Sequence, residues 1–123
     1  MGSGITINLE IDTIVLDVQQ AVPLGLILNE SVTNAVKYAF TNKKYGQIKV
    51  ILNTLGDSKL IFKVEDNGTG LPAELDLERS ATMGMGMIKG LSRQLDGKLN
   101  ILSHGGTKVE VIFTKAQFAE TNS

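Results

Sequence analysis

Ile5, Ile7 and Leu9 alternate with Thr6, Asn8 and Glu10, a period of two that predicts a strand with one apolar face. A short apolar stretch, Ile14-Val15-Leu16, follows. From Leu24 to Phe40 the period becomes helical. At about 100° per residue, Leu24, Gly25, Leu28, Val32, Ala35, Val36 and Ala39 gather on one side, and Glu30, Asn34 and Lys37 gather opposite. Pro23 suits the first turn of this helix, where its missing N–H costs little. Thr41 to Gly46 is a turn-rich break. Strands over Gln47–Asn53 and Lys59–Glu65 flank Gly56-Asp57-Ser58 and predict an antiparallel hairpin. Asp66 to Pro72 breaks regular structure, and residues 71–83 have no clear period. A loop that long inside a compact domain is usually functional or mobile. A second helix is predicted over Met85–Leu95, then strands Lys98–Ser103 and Thr107–Phe113 around His104-Gly105-Gly106. The order predicts an α+β fold: a two-layer α/β sandwich, with a mixed, mainly antiparallel sheet and helices on one face.

Composition narrows the chemistry. The 123 residues suffice for one core and are too few for two. Cysteine is absent, which excludes disulfide scaffolds, thiol nucleophiles and zinc ribbons. The single histidine excludes a multi-histidine metal centre. A net charge of −1 argues against a general nucleic-acid or membrane-surface binder. No apolar run approaches the roughly 20 residues that span a bilayer, and a cytoplasmic location is expected. Met1-Gly2-Ser3-Gly4 reads as a cloning remnant, residues 5–114 as the domain and 115–123 as a flexible tail.

Four clusters carry candidate chemistry, and each also has a plain structural reading. Glu30, Asn34 and Lys37 form either a solvated helix face or a stripe able to hold a base, a hard cation and a phosphate charge. Asp66-Asn67-Gly68-Thr69-Gly70 is either a glycine turn or a site where Asp66 accepts a ligand amine while glycines let the backbone approach a flat ring. Gly84-Met85-Gly86-Met87 either opens a helix or offers backbone N–H groups to an anion. Gly90 inside that helix costs about 1 kcal/mol against alanine, with close packing as the plain explanation. Gly105-Gly106-Thr107 is either a hairpin turn or a means of placing the Thr107 hydroxyl beside Asp66.

In this order the clusters resemble the N, G1 and G2 boxes and the terminal Gly-Thr of the GHKL (Bergerat-fold) ATP-binding superfamily, over roughly Ile5 to Phe113. The stretch Ala21 to Phe40, with Glu30 four residues before Asn34, is similar to the catalytic domain of sensor histidine kinases of the HisKA_2 and HWE types. The resemblance implies that Asn34 ligates Mg²⁺, with Asn29 near the metal, and that Lys37 reaches the ATP phosphates. It places Tyr38 along the nucleotide and the adenine amine on Asp66. Gly68 and Gly70 permit close approach, Gly84, Met85, Gly86 and Met87 meet the phosphates, and Thr107 helps read adenine. Glu30 falls at the superfamily's base position and would assist the attacking histidine. Residues 71–83 would form a lid whose Glu74, Asp76 and Glu78, like Thr69, Ser80 and Thr82, read as solvated.

What this implies is a Mg-ATP-binding domain that transfers the γ-phosphoryl to a histidine on a dimerisation domain outside this chain. His104, beside a Gly-Gly turn, reads as a loop residue rather than the acceptor. The expected partners are that dimerisation domain and a response regulator, with no nucleic acid and no direct membrane contact. The chain alone is expected to be a monomer and the parent protein a homodimer. Competing readings are an anti-sigma-factor-like GHKL serine kinase, a non-catalytic nucleotide-binding module, and a gyrase- or chaperone-type ATPase, the last lacking its transducer domain.

Overall fold

The computed structural model describes residues 4–39, 45–68, 85–103 and 105–116. Strand β1 (Gly4–Ile11) leads into helix α1 (Val18–Asn34), which ends in a π-helical turn over Ala35–Ala39. Strands β2 (Tyr45–Leu55) and β3 (Lys59–Asp66) form a hairpin. Helix α2 (Met85–Gln94) and the hairpin of β4 (Lys98–Ser103) and β5 (Thr107–Thr114) complete the chain. The sheet order is β1-β2-β3-β5-β4, with β1 parallel to β2 and every other pair antiparallel. The expected mixed, mainly antiparallel sheet is thus the observed one.

Alternation along the three inner strands builds one face of the core. Ile48, Val50 and Leu52 of β2, Leu60, Phe62 and Val64 of β3, and Val109, Val111 and Phe113 of β5 are buried in a single cluster. Leu24, Ile27 and Ala35 of α1 and Ile88 and Leu91 of α2, with Leu95 just beyond it, cover them. Each fully buried aliphatic side chain here stabilises the fold by about 1.5–3 kcal/mol relative to exposure. The opposite face carries cross-strand charges in register, Lys49 beside Glu65 and Glu65 beside Lys108, as a solvent-facing sheet surface does.

Helix α1 departs from expectation in two ways. It begins at Val18, five residues before Pro23, because Asp17 caps it with Oδ1 accepting the Gln19 N–H at 2.8 Å. Pro23 therefore sits inside the helix, buried against the core. The buried stripe is also rotated by about 90° from the expected one. Ile27 and Ser31 are buried, while Gly25 and Val36 are exposed. The rotation draws Glu30 and Asn34 toward the protein, and both are half-buried rather than on a solvated face.

The end of α2 is a Schellman motif. Asp96 takes φ 52°, its N–H donates to Arg93 O at 2.9 Å, and the Gly97 N–H donates to Ser92 O at 2.9 Å. A Cβ on Gly97 would lie 2.8 Å from Val111 Cγ1, so the chain passes too close to β5 for a side chain. A Cβ on Gly90 would meet nothing within 4 Å among the described residues, so close packing against them does not account for that glycine.

Strand β1 stands at the sheet edge with all eight residues exposed. Its Ile7, Leu9 and Ile11 lie in register with Ile48, Val50 and Leu52, yet remain 48%, 64% and 51% exposed. Among the described residues, the helix-covered cluster includes no residue of this edge strand.

Candidate functional site

Topology gathers the polar clusters at one end of the sandwich. The eight-residue β1 and the 17-residue α1 each span about 26 Å, so α1 returns Asn34 to the level at which β1 began. That is the level of Tyr45, in register with Gly4; Ile48, in register with Asp66 at the end of β3, lies three residues, about 10 Å, further along β2. The β4–β5 turn lies there too, because Glu65 pairs with Lys108 and Ser103 with Thr107. Because β4 begins at the far end, in register with Ile112, the preceding α2 has its Met85 end at the near one.

Asp66 and Thr107 follow the buried alternation of their strands. Asp66 succeeds Leu60, Phe62 and Val64, and Thr107 precedes Val109, Val111 and Phe113. Both rows of core side chains thus end in a polar residue on the helix-covered face. One Asp66 oxygen, Oδ1, accepts two backbone N–H groups, from Gly68 at 2.9 Å and from Thr107 at 3.2 Å. Its second oxygen accepts no hydrogen bond among the described residues. A cavity of about 300 Å³ at this end of the sheet is lined by Glu65, Asp66, Leu102, Gly105, Gly106, Thr107 and Lys108, with Glu65 and Lys108 coming from the face opposite the helices.

Asn34 ends α1 half-buried, and its Nδ2 is wholly buried with no hydrogen-bond partner among the described residues. A buried unpaired amide costs about 1–3 kcal/mol. Ser31, one turn earlier, also has a buried hydroxyl without a partner among the described residues. Glu30 is half-buried on the same stretch, whereas Lys37 is exposed on the π-helical turn. That turn also contains Tyr38. A single π-turn inside a helix is uncommon and often marks functional positions. At the other helix, Gly86 and Met87 are exposed beside the first residue, Met85. Thr69, Gly70, Gly84, His104 and the 71–83 segment with its Glu74, Asp76, Glu78, Ser80 and Thr82 lie outside the described residues.

Two residues of this end were not legible as site residues. Asn67 pairs with the Gln47 backbone, accepting its N–H on Oδ1 at 2.8 Å and donating its own N–H to Gln47 O at 3.2 Å. Gly106 is buried with φ 129°, and a Cβ there would overlap the Asp66 carbonyl oxygen and lie 3.0 Å from its carbon. The Asp-Asn-Gly and Gly-Gly dipeptides signalled turns, but not what those turns press against.

A sheet covered on one face, with these polar groups collected at one end of its helices, defines the class. Residues 19–117 match the family of histidine kinase-, DNA gyrase B- and HSP90-like ATPases, and the chain belongs to it. Within that family it is a catalytic domain of the histidine-kinase type. It is 30% identical over 104 residues to blue-light-activated histidine kinase 2 of Erythrobacter litoralis, covering 85% of this chain and 30% of that protein. It is 34% identical over 98 residues to the sensor histidine kinase PdtaS of Mycobacterium tuberculosis, covering 79% of this chain and 20% of that protein. The chain therefore spans about a fifth to a third of these relatives' length. Among solved structures, the blue-light-activated histidine kinase EL346 of Erythrobacter litoralis superposes with a TM-score of 0.84 at 29% identity, over 92% of this chain and 36% of that one. The catalytic domain of the histidine kinase ThkA shares the fold with a TM-score of 0.71 at 18% identity, over 92% of this chain and 82% of that one.

Proposed function

We propose that this domain binds Mg-ATP and delivers its γ-phosphoryl group to a histidine on a dimerisation domain of the parent protein. The observation that carries the reading is the Asp66 carboxylate. Two backbone donors hold Oδ1, and Oδ2 is left to accept the exocyclic amine of adenine. Guanine carries a carbonyl at that position and would meet the carboxylate as a second acceptor. Thr107, Gly68 and Gly70 complete the base site in this reading.

The triphosphate belongs at the helix end. Gly84, Met85, Gly86 and Met87 bring the N-terminus of α2 to the phosphates, where unpaired N–H groups favour negative charge. Lys37 adds a cation, and Tyr38 lies along the nucleotide. The buried Asn34 Nδ2, without a partner among the described residues, is a donor that a ligand acceptor such as a phosphate oxygen would satisfy, and the amide oxygen beside it is a hard donor that would suit magnesium. Among the described residues no group of three acidic, histidine or cysteine side chains could hold a metal alone. Magnesium held there would share its coordination between the Asn34 oxygen and the ATP phosphates, as is usual for Mg²⁺. Bound there, magnesium neutralises phosphate charge. Phosphoryl transfer needs in-line placement and charge neutralisation more than covalent help. Glu30, four residues before Asn34, assists the attacking histidine as that nitrogen bonds phosphorus and the bond to ADP breaks. The Glu30-x-x-x-Asn34 spacing supports the HisKA_2 or HWE type. A response regulator is the onward acceptor, and the parent is a homodimer through helices outside this chain. Among the described residues no helix is long and apolar enough to cross a membrane.

Calorimetry of Mg-ATP with the wild type and with Asp66→Asn tests the reading, with GTP as control. Saturable binding that prefers ATP and weakens ten- to hundred-fold, roughly, in the variant is expected, the range for a hydrogen bond to a charged group. No wild-type binding, or equal binding of GTP, would overturn it. A histidine-bearing hairpin of the parent protein, supplied with labelled ATP, should then become labelled.

A further inference from the structure

The Asp66-Asn67-Gly68 stretch contains one side chain to which the nucleotide reading gives no task. In an antiparallel sheet, two facing residues of a hydrogen-bonded pair exchange both bonds through their main chains. Between Gln47 and Asn67 only one of these bonds is main-chain, from the Asn67 N–H to Gln47 O at 3.2 Å. The other is made by a side chain, with Asn67 Oδ1 accepting the Gln47 N–H at 2.8 Å. Asn67 thus substitutes its amide oxygen for its own carbonyl. Pairing extends one residue past Asp66 while the main chain is released to turn. That turn brings the Gly68 N–H back to Asp66 Oδ1 at 2.9 Å. From the other side, Gly106 lets the β4–β5 turn close onto the Asp66 carbonyl, which brings the Thr107 N–H to the same oxygen at 3.2 Å. Asp66 is therefore gripped between a clamp on β2 and a bare glycine beside β5.

We propose that Asn67 is a positioning residue for base recognition. Its clamp on Gln47 fixes the chain reversal that commits Asp66 Oδ1 to backbone donors and reserves Oδ2 for the purine amine. The proposal rests on the reading of Asp66 as the adenine acceptor. It predicts that Asn67 sets selectivity between purines and leaves the affinity for the triphosphate alone.

The test compares ATP with ITP, which carries a carbonyl in place of the exocyclic amine, in the full chain by calorimetry with magnesium. In Asn67→Ala the ATP:ITP affinity ratio should fall about ten-fold, the worth of one hydrogen bond, with ITP affinity unchanged. Asn67→Asp keeps the acceptor oxygen and should restore the ratio, because its added charge acts on both nucleotides alike. A ratio unchanged in Asn67→Ala, or a parallel loss for both nucleotides, would overturn the proposal. If the wild type itself fails to prefer ATP over ITP, the adenine reading of Asp66 falls and takes this one with it. A wild-type measurement serves if Asn67→Ala does not fold. Coupling between sites is reciprocal, so ATP should slow hydrogen exchange of the Gln47 amide more than ITP does. Equal slowing at matched saturation would overturn the inference.

Discussion

Gln20 in α1 holds the chain where it leaves β5: its Nε2 donates to Thr114 O at 2.9 Å, and its Oε1 accepts the Ala116 N–H at 2.8 Å. One amide thereby satisfies both a donor and an acceptor of a departing strand, as a neighbouring strand would. Gln20→Ala should lower stability by about 1–2 kcal/mol, the worth of two ordinary hydrogen bonds, in a urea or thermal melt. Gln20→Glu keeps the acceptor and loses the donor, and should fall between.

Asn34→Ala should separate stability from function. It removes a buried amide nitrogen that has no partner among the described residues, so the empty domain should hold its stability or gain up to about 1 kcal/mol. Magnesium-dependent ATP binding should weaken at least ten-fold, roughly. Thermal melts with and without Mg-ATP read both effects: the variant melts no lower than wild type alone, and much lower with nucleotide.

Gly90→Ala should stabilise the protein by about 1 kcal/mol. The position is inside α2 and open to a Cβ, so only the helix preference remains to act. A chemical denaturation curve with unchanged slope and a raised midpoint is the expected result.

Asp96 and Gly97 should respond in opposite directions. Asp96→Gly relieves a left-handed backbone at φ 52° and should add about 0.5–1 kcal/mol. Gly97→Ala drives a methyl toward Val111 and should cost about 1–3 kcal/mol. Paired melts of the two variants check both signs.

The strands were readable because three of them alternate between a dry and a wet face. Lys98–Ser103 was predicted to the residue, and β2, β3 and β5 only lengthened by a residue or two at their ends. Helix α1 was harder. Pro23 resembles a helix start, and Asp17, the actual cap, lies beyond an apolar stretch that reads as a strand fragment. The expected stripe contains neither Ile27 nor Ser31, and both are buried, so the helix faces the core with a different side. At the site, Thr107 was legible beside Asp66 only on the condition that their strands pair; β3 does pair with β5, and it is the Thr107 N–H that reaches Asp66 Oδ1. Asn67 and Gly106 were not legible, because a turn glycine reads the same whether its missing Cβ would face water or the Asp66 carbonyl. A side chain that substitutes for its own backbone likewise leaves no periodic trace.

The exposed edge strand divides the domain into parts of unequal permanence. No β1 residue belongs to the buried cluster, and among the described residues the only strand β1 pairs with is β2. Its release would leave the core closed and the four antiparallel strands joined, sacrificing one ladder and the exposed Lys49–Glu10 ion pair at 3.3 Å. Such a piece opens at a free energy well below that of global unfolding. The β1 segment is then a zipper along the border of the molecule, able to part and reclose many times within the lifetime of one folded domain.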